Sequence, residues 1–438
     1  MKLIKASYFA LGLIAITSIS FAGSLEMARK LHDRLASVPP NEATLNQMAA
    51  LIDAGRFQDA ARIAMANENF YSTTLYNFFT PWNNRNSSMD APFNSTTALQ
   101  IGMVRDDVPF NTVLSNDLMY YFAEFANGQR IWNEQTNPDA NPPTGQIRPP
   151  FSFRNDHWEN GKRLRLQLSD PAFFISNTQS AMTASSRTGP DGTRNFVNTP
   201  AGVIPADKTA GVITTRGFSE EYFSAGTNRR AIRFTLINYL CVDMEDVLDT
   251  SVSHAFIRRD VPRSPAGDGN LFITKCAGCH AGLDAMAISL NYYDHNSGEF
   301  QTGTVQNING VLTRQFRPVD KVNRNFQNFP AGYVNVDDNW RNLWVTGINQ
   351  RLGWRAPASG GSITQGVGAK TLGEVLTATQ QFSRCMVERT FRKVCARSAF
   401  VSEGPRLSTI QDQFESVDNY SMKTLFAKVA EVCIGVEE

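Results

Sequence analysis

Lys275-Cys276-Ala277-Gly278-Cys279-His280 places two thiols three residues apart, with a histidine directly behind the second. This is the attachment signature of c-type haem. Each thiol adds its S–H across one haem vinyl group, so the two sulfurs must reach neighbouring edges of a single porphyrin. The adjacent histidine then falls beneath the iron as its proximal ligand. With six Cys and five His among 438 residues, chance supplies roughly one such match per thousand chains of this composition, which sets coincidence aside. A zinc half-site would want a second Cys/His pair at comparable spacing, and the chain has none. A thioredoxin-like redox pair would want a neighbouring βαβ pattern, whereas Ser264-Pro265-Ala266-Gly267-Asp268-Gly269 reads as a loop. The expected site is one covalent haem c held by thioethers to Cys276 and Cys279, with His280 as the proximal iron ligand.

The N-terminus bears on where such a group would be attached. Met1-Lys2-Leu3-Ile4-Lys5 is a short basic region, Ala6 to Ile19 is mostly apolar, and Ser20-Phe21-Ala22 ends in small-x-small. This pattern predicts a secretory signal at 1–22 cleaved after Ala22. The apolar stretch is short for a bilayer span, and no later stretch is long and apolar enough. A periplasmic or secreted protein is expected, without a membrane span in the mature chain.

Hydrophobic content of 42% and charged content of 19% fit a globular protein. The net charge is +1, or about −1 without Lys2 and Lys5 (1 − 2), a balance that points neither to nucleic acid nor to a membrane surface. Four cysteines remain: Cys241, Cys385, Cys395 and Cys433. In an oxidising compartment an even remainder suggests two disulfides, and four thiols allow three pairings. Cys385 and Cys395 fall on one predicted helix, roughly 15 Å apart and too far to bridge. An antiparallel hairpin of the last two predicted helices would pair Cys385 with Cys433 and leave Cys241 for Cys395.

Along the chain, hydrophobic periodicity predicts helices over 25–35 and 42–54, with Asn41 as N-cap of the second, and over 58–79 and 113–125. Residues 127–210 are turn-rich and lose periodicity, as a surface insertion or a specificity element would. Helices are expected again over 228–240 and 281–290, extended or hairpin structure over 299–330 with turns at Asn307-Ile308-Asn309-Gly310, and helices over 370–395 and 422–433. The fold class expected is mainly α, multi-helical, with a cytochrome-c-like haem region at 211–369, minor β, an N-terminal helical region at 23–126 and a C-terminal one at 370–438.

Several segments resemble one family. Arg34-Leu35-Ala36-Ser37-Val38-Pro39-Pro40, Val108-Pro109-Phe110 through Tyr121, and Gly211-Val212-Ile213-Thr214 followed by Asn228-Arg229-Arg230 are similar to blocks of the planctomycete-type cytochrome-c-like proteins, which are large, secreted and multi-domain. Cys276 to Asp284, Leu290-Asn291-Tyr292-Tyr293-Asp294, Phe382-Ser383-Arg384-Cys385 through Arg397, and Tyr420 to Leu425 continue the likeness in scattered blocks. Only the haem motif among them is chemically specific. Ser37 stands where the family has glycine, Ala285 where it has proline, and Asp243-Met244-Glu245-Asp246 where it has a proline-rich run. The resemblance implies a haem protein and leaves its reaction open.

That reaction turns on the sixth iron ligand. Methionine or a second histidine makes a low-spin, one-electron carrier; an open position allows peroxide or oxygen chemistry. No methionine lies between Met286 and Met386, so the nearby ligand loop of a compact cytochrome is missing. Met286, Met386, Met422, Met244, His157, His254 and His295 are the candidates. Trp340, Trp344 and Trp354, with Arg341, Arg351 and Arg355, either line the porphyrin and its propionates or pack as core and solvated surface. Arg216, Arg229 and Arg230 carry the same two readings. The expected function is one-electron transfer with a redox partner protein. A peroxidase-like oxidoreductase and an envelope interaction protein with structural haem are the alternatives.

Overall fold

A computed structural model describes residues 23–89, 91, 94–122, 169, 171, 174–182, 204–296, 299–308 and 311–435. The expected signal segment, His157 and most of 127–210 lie outside these residues. The described chain is mainly helical with minor β, as its periodicity implied. The described residues divide into two compact units: one takes 23–78, 169 and 387–435, the other the described residues of 79–122 and 171–386.

The first unit begins with a helix over 23–36 and a second at Glu42–Asp53, where the Asn41 side chain accepts from Thr44 N as an N-cap. The predicted long helix over 58–79 is interrupted. Phe57–Met65 is α-helical, the chain turns at 66–69, where Asn67 Oδ1 accepts from Asn69 N, and Phe70–Leu75 continues as π-helix. A short polar side chain that satisfies backbone donors locally competes with helix, and here it wins. Met422–Cys433 packs against Phe57–Met65, with Phe426 edge-on to Phe70 and to Phe78.

This unit corrects the expected disulfide pairing. The bonds are Cys241–Cys385, within the second unit, and Cys395–Cys433, within the first. A helix at Gly404–Ser416 lies between the last two predicted ones. It adds a second chain reversal, so the C-terminal ends of Gln380–Cys395 and Met422–Cys433 meet, with Cys395 and Cys433 Cα atoms 5.9 Å apart.

In the second unit, Ser95–Arg105 is buried along nearly its whole length and capped by Asn94, whose side chain accepts from the amides of Thr96 and Thr97. Its Gln100 lies in a buried polar chain running from Asn83 to Tyr239. The helix predicted over 113–125 is instead a turn followed by the strand Leu118–Phe122, antiparallel to Phe174–Thr178; residues 123–125 lie outside the described chain. Asn116 Oδ1 accepts from Leu118 N and turns the chain, and the Leu-Met-Tyr-Tyr-Phe run suits a strand. Among the described residues, β structure is confined to two-stranded ladders. Thr304–Ile308 pairs with Val311–Gln315, in agreement with the expected hairpin. The helix expected over 228–240 forms as Arg229–Thr235 continued by a π-turn at Leu236–Leu240. The helix expected over 370–395 splits into Gly368–Thr377 and Gln380–Cys395, because Thr379 Oγ1 accepts from Phe382 N and starts a new helix.

Candidate cofactor site at the motif helix

The motif lies inside a helical segment. Asp268 caps a first turn at Gly269–Leu271, Phe272–Ala277 widens to a π-turn carrying Cys276, and Gly278–Ala287 carries Cys279 and His280 as α-helix. The helix expected from Ala281 thus begins three residues earlier. π-turns occur within helices mainly at functional sites, because the extra residue re-aims side chains.

At about 100° per residue, Cys276, Cys279 and His280 share an arc of roughly 100° on one face. All three are partly exposed, His280 at 27% of its side chain. Both thiols are free, whereas the other four cysteines are cross-linked. Ile273, one turn before Cys276, is 50% exposed, and Leu271 is 37% exposed. The segment that carries the donors therefore also leaves apolar surface in water.

The opposite face is packed tightly through two glycines. A Cβ at Gly278 would lie 2.9 Å from Leu248 Cγ, and one at Gly282 would lie 2.0 Å from Trp344 Nε1. Gly278 O also accepts from Asp249 N, which ties segment 247–250 to the motif helix. On the flank, Cys276 packs against a buried cluster of Ile257, Val261, Phe272, Ala277 and Ala281.

Behind His280 is a buried ionic network. His280 Nδ1 lies 3.3 Å from Asp284 Oδ1, one helical turn on. Asp284, fully buried, accepts from Arg229 Nε at 2.5 Å and Nη2 at 2.8 Å, and from Arg258 N at 3.1 Å. Arg229 also forks onto Asp260, at 2.6 and 2.8 Å. Burial alone would raise the Asp284 pKa. The Arg229 charge and its hydrogen bonds, with smaller contributions from His280 and Arg258, outweigh it and hold the carboxyl well below the carboxylate range. The fully buried Arg258 guanidinium donates to Thr227 O, while its Nε and Nη2 have no partner among the described residues. Burial, and the nearby Arg229, push its pKa down to about 10.

Cys279 Sγ donates to Met244 O at 3.5 Å. Its pKa is raised by burial first, then by Glu245, Asp243 and Cys276.

Of the candidate sixth ligands, the structure brings two segments to the motif. Met244 reaches it through the Cys279 contact, and the His254 ring meets Phe272 edge-on at 5.7 Å. Met286 is fully buried on the motif helix itself, and His295 Nδ1 pairs with Ser219 Oγ. Met386 is buried beside Cys385, and Met422 is buried within the other unit. The tryptophans behave as packing groups. Trp340 Nε1 donates to Thr371 Oγ1, Trp354 Nε1 donates to Asn349 O, and Trp344 buttresses the back of the motif helix. Arg341 donates to Trp340 O and Arg351 to Asp246 O. Arg229 is engaged by two aspartates, and the Arg216 side chain lies outside the described residues.

Sequence reasoning missed the Asp284–Arg229–Asp260 network and the glycine seat for Trp344. The signals were there: His280 and Asp284 are spaced i, i+4, as are Gly278 and Gly282, and such pairs share a helix face.

The donor set fits covalent haem. Two free thiols three residues apart share a helix segment with a histidine whose Nδ1 meets Asp284, which leaves Nε2 as the ring nitrogen available to iron. Among the described residues, no cluster of three or more His, Cys, Asp or Glu offers a competing metal site, and no helix is long and apolar enough to cross a membrane. No family model, curated protein or solved structure matches this chain.

Proposed function

We propose that the chain carries one haem c, attached through Cys276 and Cys279 with His280 on the proximal side, and that it passes single electrons to and from a partner protein outside the cytoplasm. The observation that carries this reading is the segregation of the cysteines. Four are consumed in disulfides, and the two left as thiols share one helix face with His280. Bound haem supplies a one-electron iron couple. The chain's own residues do the rest. The thiols of Cys276 and Cys279 would hold the haem covalently and His280 would ligate its iron, while Gly278 and Gly282 let Leu248 and Trp344 clamp the helix that carries these groups. The exposed Ile273 and Leu271 give an apolar macrocycle a surface to cover.

The segments bearing Met244 and His254 adjoin the motif, which favours a sixth protein ligand and hence low-spin iron. The test is an absorption spectrum of the full chain produced alongside a c-type haem maturation system. Covalent haem with sharp low-spin bands in the reduced state, unchanged by carbon monoxide, is expected. A high-spin spectrum that responds to carbon monoxide would replace the carrier with an oxidoreductase. Failure of both thiols to take haem would overturn the reading altogether.

A further inference from the structure

We infer that Asp284 is a positioning residue for the haem ligand His280, fixing its tautomer and tuning the iron from the proximal side; this rests on the haem reading above. Asp284 is fully buried, with the Arg229 guanidinium forked onto both its oxygens and the Arg258 N–H on Oδ2, and a carboxylate paired in this way accepts hydrogen bonds and donates none. A ring nitrogen 3.3 Å from it must therefore carry the proton. His280 is held as the Nδ1–H tautomer, its Nε2 lone pair free on the far side of the ring. The i, i+4 spacing within one helix also fixes the plane of the imidazole. Metal-bound histidines generally depend on such an outer partner for orientation and basicity.

Arg229 sets how strongly Asp284 acts. It takes one bond to each carboxylate oxygen of Asp284 and repeats the fork on Asp260, so a single guanidinium stands between two carboxylates. Arg258 contributes a backbone N–H to Oδ2. With its lone pairs occupied, the carboxylate cannot draw the proton off His280. The carboxylate keeps a fixed negative charge behind the ring. Negative charge near the iron favours the ferric state, so Asp284 lowers the midpoint potential.

Two measurements test this. In the haem-free chain, nitrogen-15 NMR of the His280 ring at alkaline pH should show Nδ1 protonated and Nε2 bare. An Nε2-protonated ring overturns the inference, and no variant has to fold for that result. In the haem-loaded full chain, Asp284→Asn keeps an acceptor oxygen but removes the charge. With haem content checked by its pyridine haemochrome, the midpoint potential should rise. An unchanged or lowered potential overturns the tuning role, whereas a merely structural role would alter yield and leave the potential of the folded fraction in place. If the wild-type chain takes no haem, the proposed function fails while the tautomer result still stands or falls by itself.

Discussion

The indole of Trp344 lies directly over Gly282, so close that a β-carbon there would sit 2.0 Å from Nε1. Both residues are buried, Trp344 fully, so the indole has nowhere to retreat within a close-packed interior. Gly282→Ala should therefore destabilise the second unit by roughly 2 kcal/mol, since overpacking a filled core costs about 1–3 kcal/mol. This is opposite to the usual gain when alanine replaces a mid-helix glycine. Thermal denaturation of the variant against the parent checks the sign; a raised Tm would show that the seat is loose.

The disulfides close loops of very different size, with sequence separations of 144 and 38. On a chain-entropy account they stabilise by about 5 and about 4 kcal/mol respectively. Peptide mapping without reduction should recover Cys241 linked to Cys385 and Cys395 linked to Cys433. Alkylation of the haem-free chain should label only Cys276 and Cys279 until a reductant is added. Any Cys385–Cys433 peptide would restore the pairing first expected from the sequence.

Acid sensitivity should centre on Asp284. Its folded pKa is depressed, while the unfolded value is about 3.9. The unfolded state therefore binds protons first, so the stability that Asp284 contributes is complete above about pH 4 and drains away as pH falls towards the folded value. Asp284→Asn should cost about 3 kcal/mol near neutral pH, as removing one partner of a buried pair does, with Asp260 retaining its grip on Arg229. The variant should also lose less further stability below pH 4 than the parent. Urea unfolding from pH 7 to pH 3 measures both; parallel curves would remove Asp284 from the acid response.

The Cys279 thiol should resist ionisation. Burial, Glu245 and Asp243 all raise its pKa, so its alkylation by iodoacetamide in the haem-free chain should reach half its limiting rate above the free-thiol value of about 8.5. Glu245→Gln removes one of the carboxylates and should move that midpoint down. A midpoint below that of free cysteine would mean the thiol faces a positive rather than a negative environment.

Which features were legible in the sequence follows from how local their causes are. Cys276, Cys279 and His280 declared themselves by spacing, because thioether geometry needs neighbouring residues on one segment. Asn41 was readable as a cap because its contact with Thr44 spans three residues. Asp284 could be placed on the His280 face from the i, i+4 spacing, but not its pairing with Arg229, which lies 55 residues away and reaches it only through tertiary packing. Ser95–Arg105 escaped notice because it is buried all round and so lacks the two-faced periodicity that marks a surface helix. The strand at Leu118–Phe122 reads as helix in the sequence because paired aromatics satisfy either period, and its partner strand lies more than fifty residues downstream.

The Cys241–Cys385 bond has a further consequence for the covalent map of the chain. Together with the backbone between its ends it makes a closed ring that contains the whole motif, and Cys395–Cys433 makes a second, smaller one. A peptide bond cut anywhere inside either ring, for instance in the hairpin of Thr304–Ile308 and Val311–Gln315, leaves both pieces tied through sulfur. A cut in the short stretch from Cys385 to Cys395, or before Cys241, is not held in this way. Nicked protein would then migrate as one chain on a non-reducing gel and as two after reduction, and the position of a nick could be assigned to ring or open stretch from that difference alone.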